Sequence, residues 1–464
     1  MKPEQFLTHS LRSIPYGQAI AEIMATALNA VEPAHAVRQQ LYCEGDTIRI
    51  GRHTYRNIQR LVLIGAGKAG APMLQAAVEQ LGERISAGLV VVKEGHLGSE
   101  SEDAQRQMQN IFLVEAGHPL PDERGIAAAE RIAALLQGLT AHDLVLVLLS
   151  GGGSALLTWP APGLTLADLQ GLTTSLLRCG ASIGEINTLR KHCTRLFGGQ
   201  LAQLAAPAQL AALVVSDVVG SPLDVIASGP TAADPTTYAD AWQLIERYDL
   251  AEQLPQALRA YFQRGLTGGL PETAKPDLTL WERVHNTVIA SNAVAAEAAL
   301  VAARDRGFQA TILTSYLEGE AREVGRMAAA IAREQVLRGD GLPRLMIAGG
   351  ETTVTLRGHG MGGRNQELAL AAVEGLAGLE GACIVALASD GGDGPTDAAG
   401  AVATGESWQR AQYLGLHPAS ALRHNDAYHF FESLGDLLRP GPTLTNVNDL
   451  LFIFTGIGTS SIFT

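Results

Sequence analysis

The stretch Leu61-Val62-Leu63-Ile64-Gly65-Ala66-Gly67-Lys68-Ala69-Gly70 decides how the rest of the chain is read. Four apolar residues in a row read as a buried strand. They run into Gly65, Gly67 and Gly70. This G-x-G-x-x-G spacing lets a backbone turn sharply and approach an anion at a helix N-terminus. A dinucleotide site also wants an acidic residue about 20 residues further on. Glu94, after Val90-Val91-Val92-Lys93, stands near that place, so the spacing leaves a dehydrogenase open. Lys68 is the unusual feature. A full cation inside the turn suits a phosphoryl group that reacts better than a pyrophosphate that is only held. The P-loop pattern G-x-x-x-x-G-K-[ST] is absent. The plain structural alternative is a tight strand-to-helix turn with a surface lysine.

Working outward, the same strand-then-loop pattern recurs. Expected strands are Leu61–Ile64, Gly88–Val92, Leu144–Leu149 and Ala211–Val215, then Thr287–Ala290, Ala310–Thr314, Arg344–Ile347 and Ile384–Ala388. Ala/Leu-rich segments between them read as helices, which is the doubly wound α/β pattern. Residues 18–42 read as helix, a break at Pro33, then helix. A polar stretch with two prolines separates the two strand sets. It places a domain boundary near 265–280, with domains 1–270 and 271–464. The tail from Leu450 reads as a final buried strand, and its last ten residues carry no reading.

Bulk properties narrow the function. The chain has 464 residues, 47% hydrophobic but only 5% aromatic, and a net charge of −13. That is too long for one ordinary core. With no basic block, nucleic acid and anionic membrane surfaces are not expected partners. Cys43, Cys179, Cys193 and Cys383 are scattered, so neither a zinc site nor a disulfide framework is expected, and a reducing, cytoplasmic location is. No run nears the roughly 18 apolar residues of a membrane span.

The carboxyl ends of the strands hold most of the Gly, Ser, Asp and Thr clusters, where open parallel sheets bind ligands. Ser150-Gly151-Gly152-Gly153-Ser154 is a second backbone nest at a helix start. Gly349, Gly350 and Glu351 follow another strand. Gly363, Arg364 and Asn365 sit at the mouth of a helix, and arginine binds phosphate or carboxylate bidentately. Asp390, Asp393 and Asp397 fall in one Gly/Pro-rich loop. Their hard oxygens suit Mg²⁺, but Asx turns and a helix N-cap at Asp397 explain them equally. Asp217 and Asp224 carry the same ambiguity. Asn187, Arg190, Lys191 and His192 add candidate anion binders. A serine hydrolase is disfavoured because GGGSA lacks the final glycine of G-x-S-x-G.

Taken in order, GAGKA, LSGGGSALL, EINTLRKH, SDVVGSPLDVIASGPT, GGETTVTLRGHGMGGRNQELAL, SDGGDGPTDAAGA and TNVNDL span nearly the whole chain. Together they resemble the class II glycerate kinases, the glycerate 2-kinases with a MOFRL domain, a group also named hydroxypyruvate reductase. The resemblance implies a Rossmann-like N-terminal domain and a C-terminal α/β domain with the MOFRL region at about 342–455. It also implies an inter-domain cleft in which ATP and Mg²⁺ phosphorylate D-glycerate to 2-phosphoglycerate. Lys68 and Arg364 match the two family residues expected in that cleft. Ser221 and Phe197 depart from the family pattern, where an aspartate and a basic residue are usual.

On this basis Lys68, Arg364 and Asp217 are the expected catalytic residues, with Asp217 as base. Gly65, Gly67, Ser150 to Ser154, Gly349, Gly350, Glu351, Gly363 and Asn365 are expected to hold the cofactor, and Asp390 and Asp393 the metal. Monomer and homodimer are both open. The competing readings are an NAD(P)H-dependent hydroxypyruvate reductase, which would leave the aspartate cluster without a task, and a non-enzymatic sensor of a sugar acid or nucleotide.

Overall fold

The computed structural model describes residues 1–97 and 110–458. The chain divides into two compact units, Pro33–Ile289 and a second made of Met1–Glu32 with Ala290–Thr464.

Within Pro33–Ile289, three short antiparallel strands come first: β1 (Leu41–Glu44), β2 (Thr47–Ile50) and β3 (His53–Arg56). The main sheet has six: β4 (Leu61–Ala66), β5 (Ile85–Lys93), β6 (Ile111–Ala116), β7 (Leu144–Leu149), β8 (Gln209–Val215) and β9 (Val284–Ala290). Their order is β6-β5-β4-β7-β8-β9. The strands from β6 through β8 pair in parallel, with Ile64 opposite Leu89 on one side and Val147 on the other. This is the Rossmann order. Every residue of β4 and β7 is buried, because helices cover both faces, so these strands lack polar alternation. A second core without strands joins Leu172, Leu176, Leu189, Ile245, Leu258 and Phe262.

In the other unit the strands are β10 (Gln309–Glu320), β11 (Arg344–Thr353), β12 (Cys383–Ala388), β13 (Gly400–Thr404), β14 (Leu437–Leu438) and β15 (Asp449–Thr455), in the order β10-β11-β15-β12-β13-β14. Only the β10–β11 pairing is parallel. β15 runs antiparallel between β11 and β12, and β13 is antiparallel to β12. The uniform doubly wound pattern therefore holds for the first sheet, and the second is mixed. Runs such as Cys383–Ala388 and Asp449–Thr455 are buried throughout. A strand buried on both faces has no periodicity that tells its direction.

All eight expected strands form, most of them longer than expected. β6, β13, β14 and the β1–β3 sheet were not foreseen. The two units do not coincide with 1–270 and 271–464. β9, expected in the second strand set, is the edge of the first sheet. The helix Gly17–Ala30 belongs with the C-terminal half. Glu22 pairs there with Arg306 at 2.7 Å, and the Val31 carbonyl accepts from Thr445 Oγ1 at 2.8 Å. The helix break at Pro33 is real, with the next helix spanning Pro33–Gln40.

Candidate active site

In the first sheet, strand order reverses between β4 and β7, the place where doubly wound sheets bind ligands at the carboxyl ends. GAGKAG follows β4 and SGGGS follows β7, so the fold puts both glycine loops at this point. They are stitched together. Lys68 N donates to Gly151 O at 2.9 Å, Ser150 N to Ala66 O at 3.1 Å, and Ala69 N to Ser150 Oγ at 3.0 Å.

The glycines here are required by packing. A β-carbon on Gly65 would lie 2.6 Å from Leu148 O, and one on Gly70 2.9 Å from Val90 and Val92. At Gly67, with φ +145°, it would lie 2.0 Å from Ser150 Oγ. In a dinucleotide site the middle glycine leaves room for pyrophosphate. Here Ser150 takes that room. Glu94 pairs with Arg124 at 2.8 Å.

Around the second loop, Gly151 makes way for Asp217, whose Oδ2 lies 2.0 Å from where a β-carbon would be. Gly152, at φ +87°, faces His118 Cδ2 and Lys68 Cγ, 3.0 and 3.4 Å from the same construction. Gly153 packs on Ala227. Ser154 Oγ meets Ser228 Oγ at 2.8 Å, and Ser228 Oγ donates to Asn187 Oδ1 at 3.0 Å. Ala227 and Ser228 both hold positive φ, 50° and 60°. Such backbone costs about 1–3 kcal/mol each and persists where the surroundings enforce it. Lys68 is half-buried, and among the described residues no hydrogen bond or ion pair holds its ammonium. His118 is pushed down to about 4 by burial, then by the positive charge of Lys68. It is a neutral imidazole at physiological pH.

His118 was missed in the sequence because β6, which delivers it, was missed. The usable signal was the apolar run Ile111–Val114 followed by Gly117-His118-Pro119. Of the EINTLRKH candidates, Asn187 joins the loop and Lys191 does not. Lys191 is buried with Asp224 at 3.2 Å and Asp234 at 3.4 Å. His192 is buried against Glu272 at 3.1 Å. Phe197 is a core residue, and Ser221 holds φ +52°.

In the other unit, Arg364 opens the helix Arg364–Leu376. Its Nε and Nη2 donate to Asp449 Oδ2 and Oδ1 at 2.5 and 3.1 Å, and Nη1 donates to Glu351 Oε1 at 2.7 Å. Asp449, from TNVNDL, was not foreseen. Burial raises its carboxyl above the usual range, against the opposing pull of Arg364. Gly349 is held close to Asn292, whose Oδ1 would lie 1.7 Å from a β-carbon there, and a β-carbon on Gly350 would lie 2.2 Å from Leu317 O.

Asp393 caps the same helix. It accepts from Asn365 N at 3.2 Å and Gln366 N at 2.9 Å, and Gly363 leaves space for it. Burial raises its carboxyl to about 6, opposed by those amides. Asp390 is exposed, and its Oδ1 accepts from Gly392 N at 3.1 Å. Asp397 accepts from Tyr428 and Arg439 at 2.8 and 3.2 Å and caps no helix. The expected Asp390–Asp393 pair is thus split in role, Asp393 a buried helix cap and Asp390 an exposed loop carboxylate. Among the described residues, no group of three or more His, Cys, Asp or Glu is arranged to hold a metal ion.

Two α/β units thus carry glycine turns at strand ends, a lysine whose ammonium has no partner among the described residues, and an arginine held by two carboxylates at a helix start. The family models agree in extent: DUF4147, a domain of unknown function, matches residues 19–263, and the MOFRL family matches 344–449. A "Glycerate 2-kinase" of Pyrococcus horikoshii is 39% identical over 92% of this chain and 95% of its own length. An Agrobacterium vitis protein named for hydroxypyruvate reductase is 43% identical over 86% of this chain and 87% of its own. The solved glycerate kinase of Thermotoga maritima superposes with a TM-score of 0.83 at 38% identity, covering 94% of this chain and 99% of that one. The chain belongs to the DUF4147–MOFRL family of glycerate 2-kinases. Among the described residues no helix is long and apolar enough to cross a membrane.

Proposed function

We propose that this protein transfers the terminal phosphoryl group of ATP to the 2-hydroxyl of D-glycerate. The observation that carries the reading is the Lys68–Gly151 stitch. It sets a lysine whose ammonium has no partner among the described residues beside a nest of three glycines. The substrate oxygen attacks phosphorus, the bond from that phosphorus to the bridging oxygen of ADP breaks, and the hydroxyl proton passes to Asp217. Lys68 neutralises charge at the transferring group, and Arg364 is the second cation assigned to the phosphoryl chemistry. Such positioning and neutralisation supply most of the catalysis in phosphoryl transfer. His118, being neutral, does not add a competing charge and can accept or donate one hydrogen bond. Gly151 to Ser154 hold the substrate carboxylate or the phosphate tail. Magnesium would offset the charge of the phosphate oxygens, and the exposed Asp390 would be a loop carboxylate able to hold it.

The reductase reading is supported by the G-x-G-x-x-G spacing and by the name of the Agrobacterium relative. Ser150 packed at Gly67 and Glu94 paired with Arg124 weigh against it. Purified protein with D-glycerate and ATP should form ADP and 2-phosphoglycerate, identified by phosphorus NMR of the product. NADH oxidation with hydroxypyruvate, without ADP formation from glycerate, would overturn the proposal.

A further inference from the structure

Arg364 has five N–H donors and no acceptor. Three are occupied inside the unit. Asp449 takes the Nε and Nη2 edge in a two-point contact, and Glu351 takes one hydrogen of Nη1. The two carboxylates differ sharply in exposure. The Asp449 side chain is 11% exposed and the Glu351 side chain 46%. Asp449 is also fixed by its backbone, opposite Gly350 in the sheet, with its carbonyl accepting from Asn292 Nδ2 at 2.8 Å. Pulling Asp449 away would leave a buried charge unpaired, which is strongly unfavourable. Releasing Glu351 to water costs little, because half-exposed pairs contribute little. With both carboxylates in place the guanidinium is more than neutralised, a poor receptor for a phosphate.

We propose that Glu351 is an internal stand-in for the anionic oxygen that Arg364 receives from substrate, and that the arriving phosphoryl group displaces it while Asp449 keeps the guanidinium aimed. Asp449 is then a positioning residue, and Glu351 sets affinity by competition. The inference rests on the reading that Arg364 serves phosphoryl transfer. It reverses the expectation that Glu351 helps to hold the cofactor, since removing its charge should tighten binding.

The test is calorimetric titration of the full chain with inorganic phosphate, beside steady-state kinetics with ATP and D-glycerate. Glu351→Gln should bind phosphate roughly two- to fivefold more tightly, the factor a half-exposed pair implies, and lower the KM for ATP. Arg364→Met should weaken phosphate binding, and adding Glu351→Gln to it should then change nothing. Asp449→Asn should lower kcat at least tenfold and widen the dependence of KM on salt. If Asp449→Asn fails to fold, the Glu351→Gln and Arg364→Met/Glu351→Gln pair decides alone. Phosphate binding that weakens or stays level in Glu351→Gln overturns the proposal. If glycerate is phosphorylated yet Glu351→Gln leaves phosphate binding unaltered, this inference fails and the kinase reading stands. If Glu351→Gln tightens phosphate and glycerate is not phosphorylated, the competition of Glu351 with an anion at Arg364 stands, but the kinase reading falls and with it the assignment of that anion to a phosphoryl substrate.

Discussion

The backbone N–H of Lys68 donates to the carbonyl of Gly151 at 2.9 Å. That one bond joins the loop after β4 to the loop after β7 at the point where strand order reverses. A lysine backbone fixed in this way cannot drift, so its side chain works from a defined base.

Lys68→Ala should therefore reduce turnover on the order of 10²–10³-fold, as removal of one preorganised charge stabiliser does. Folding should be unaffected, because the ammonium holds no partner among the described residues. Coupled ADP-release kinetics, with a melting curve as control, checks this. Unchanged turnover would return Lys68 to the role of a surface lysine beside a tight turn.

Arg364→Ala should cost on the order of 10³-fold in kcat, the scale of a charge-neutralising arginine in phosphoryl transfer. It should also destabilise the unit, since Asp449 would be left buried without its cation. A loss under tenfold in folded protein would remove Arg364 from the chemistry.

Gly67→Ala should destabilise the Pro33–Ile289 unit by roughly 2–4 kcal/mol, combining backbone strain with overpacking. The cause is the φ of +145° and the 2.0 Å approach to Ser150 Oγ. Gly67→Ala combined with Ser150→Ala should recover part of that loss, measured by chemical denaturation. Full additivity of the two would mean that the residues do not meet.

His118 should stay neutral down to about pH 4, because burial and then Lys68 depress it. In Lys68→Met its titration should move upward, though not fully to the ordinary value, since burial is the larger cause. Histidine-labelled NMR titration reads this directly. A wild-type midpoint near 6.5 would contradict the burial argument.

Asp393 supplies a pH signature of stability. Its folded-state value is raised to about 6 from 3.8. Between those values the folded state keeps a proton that the unfolded state has lost. The contribution is fully present below about 3.8 and is lost as pH rises through about 6. Lowering pH from 7 to 4 should favour wild type over Asp393→Asn by on the order of 1–3 kcal/mol. Paired melting curves across that range measure it, and a pH-independent difference would refute the assignment.

The amino-acid sequence marked the most apolar strands, because runs such as Leu61–Ile64 and Leu144–Leu149 are stable only in a covered sheet, while β1–β3, β13 and β14 carry no such run. It also determined the loops that matter, since only glycine tolerates the contacts at Gly65, Gly67 and Gly151. The motifs alone carry the resemblance to the family. Tertiary structure alone decided the partners. Asp393 reads as a metal ligand in a Gly/Pro loop and becomes a helix cap, because the helix Arg364–Leu376 arrives from elsewhere in the chain. Asp449 and His118 became visible only when β15 and β6 placed them. The helix Gly17–Ala30 covers the core of the C-terminal half. The physical reason is one: apolar periodicity and backbone conformation are local properties of the chain. Which carboxylate meets which cation or amide is set by the packing of distant segments.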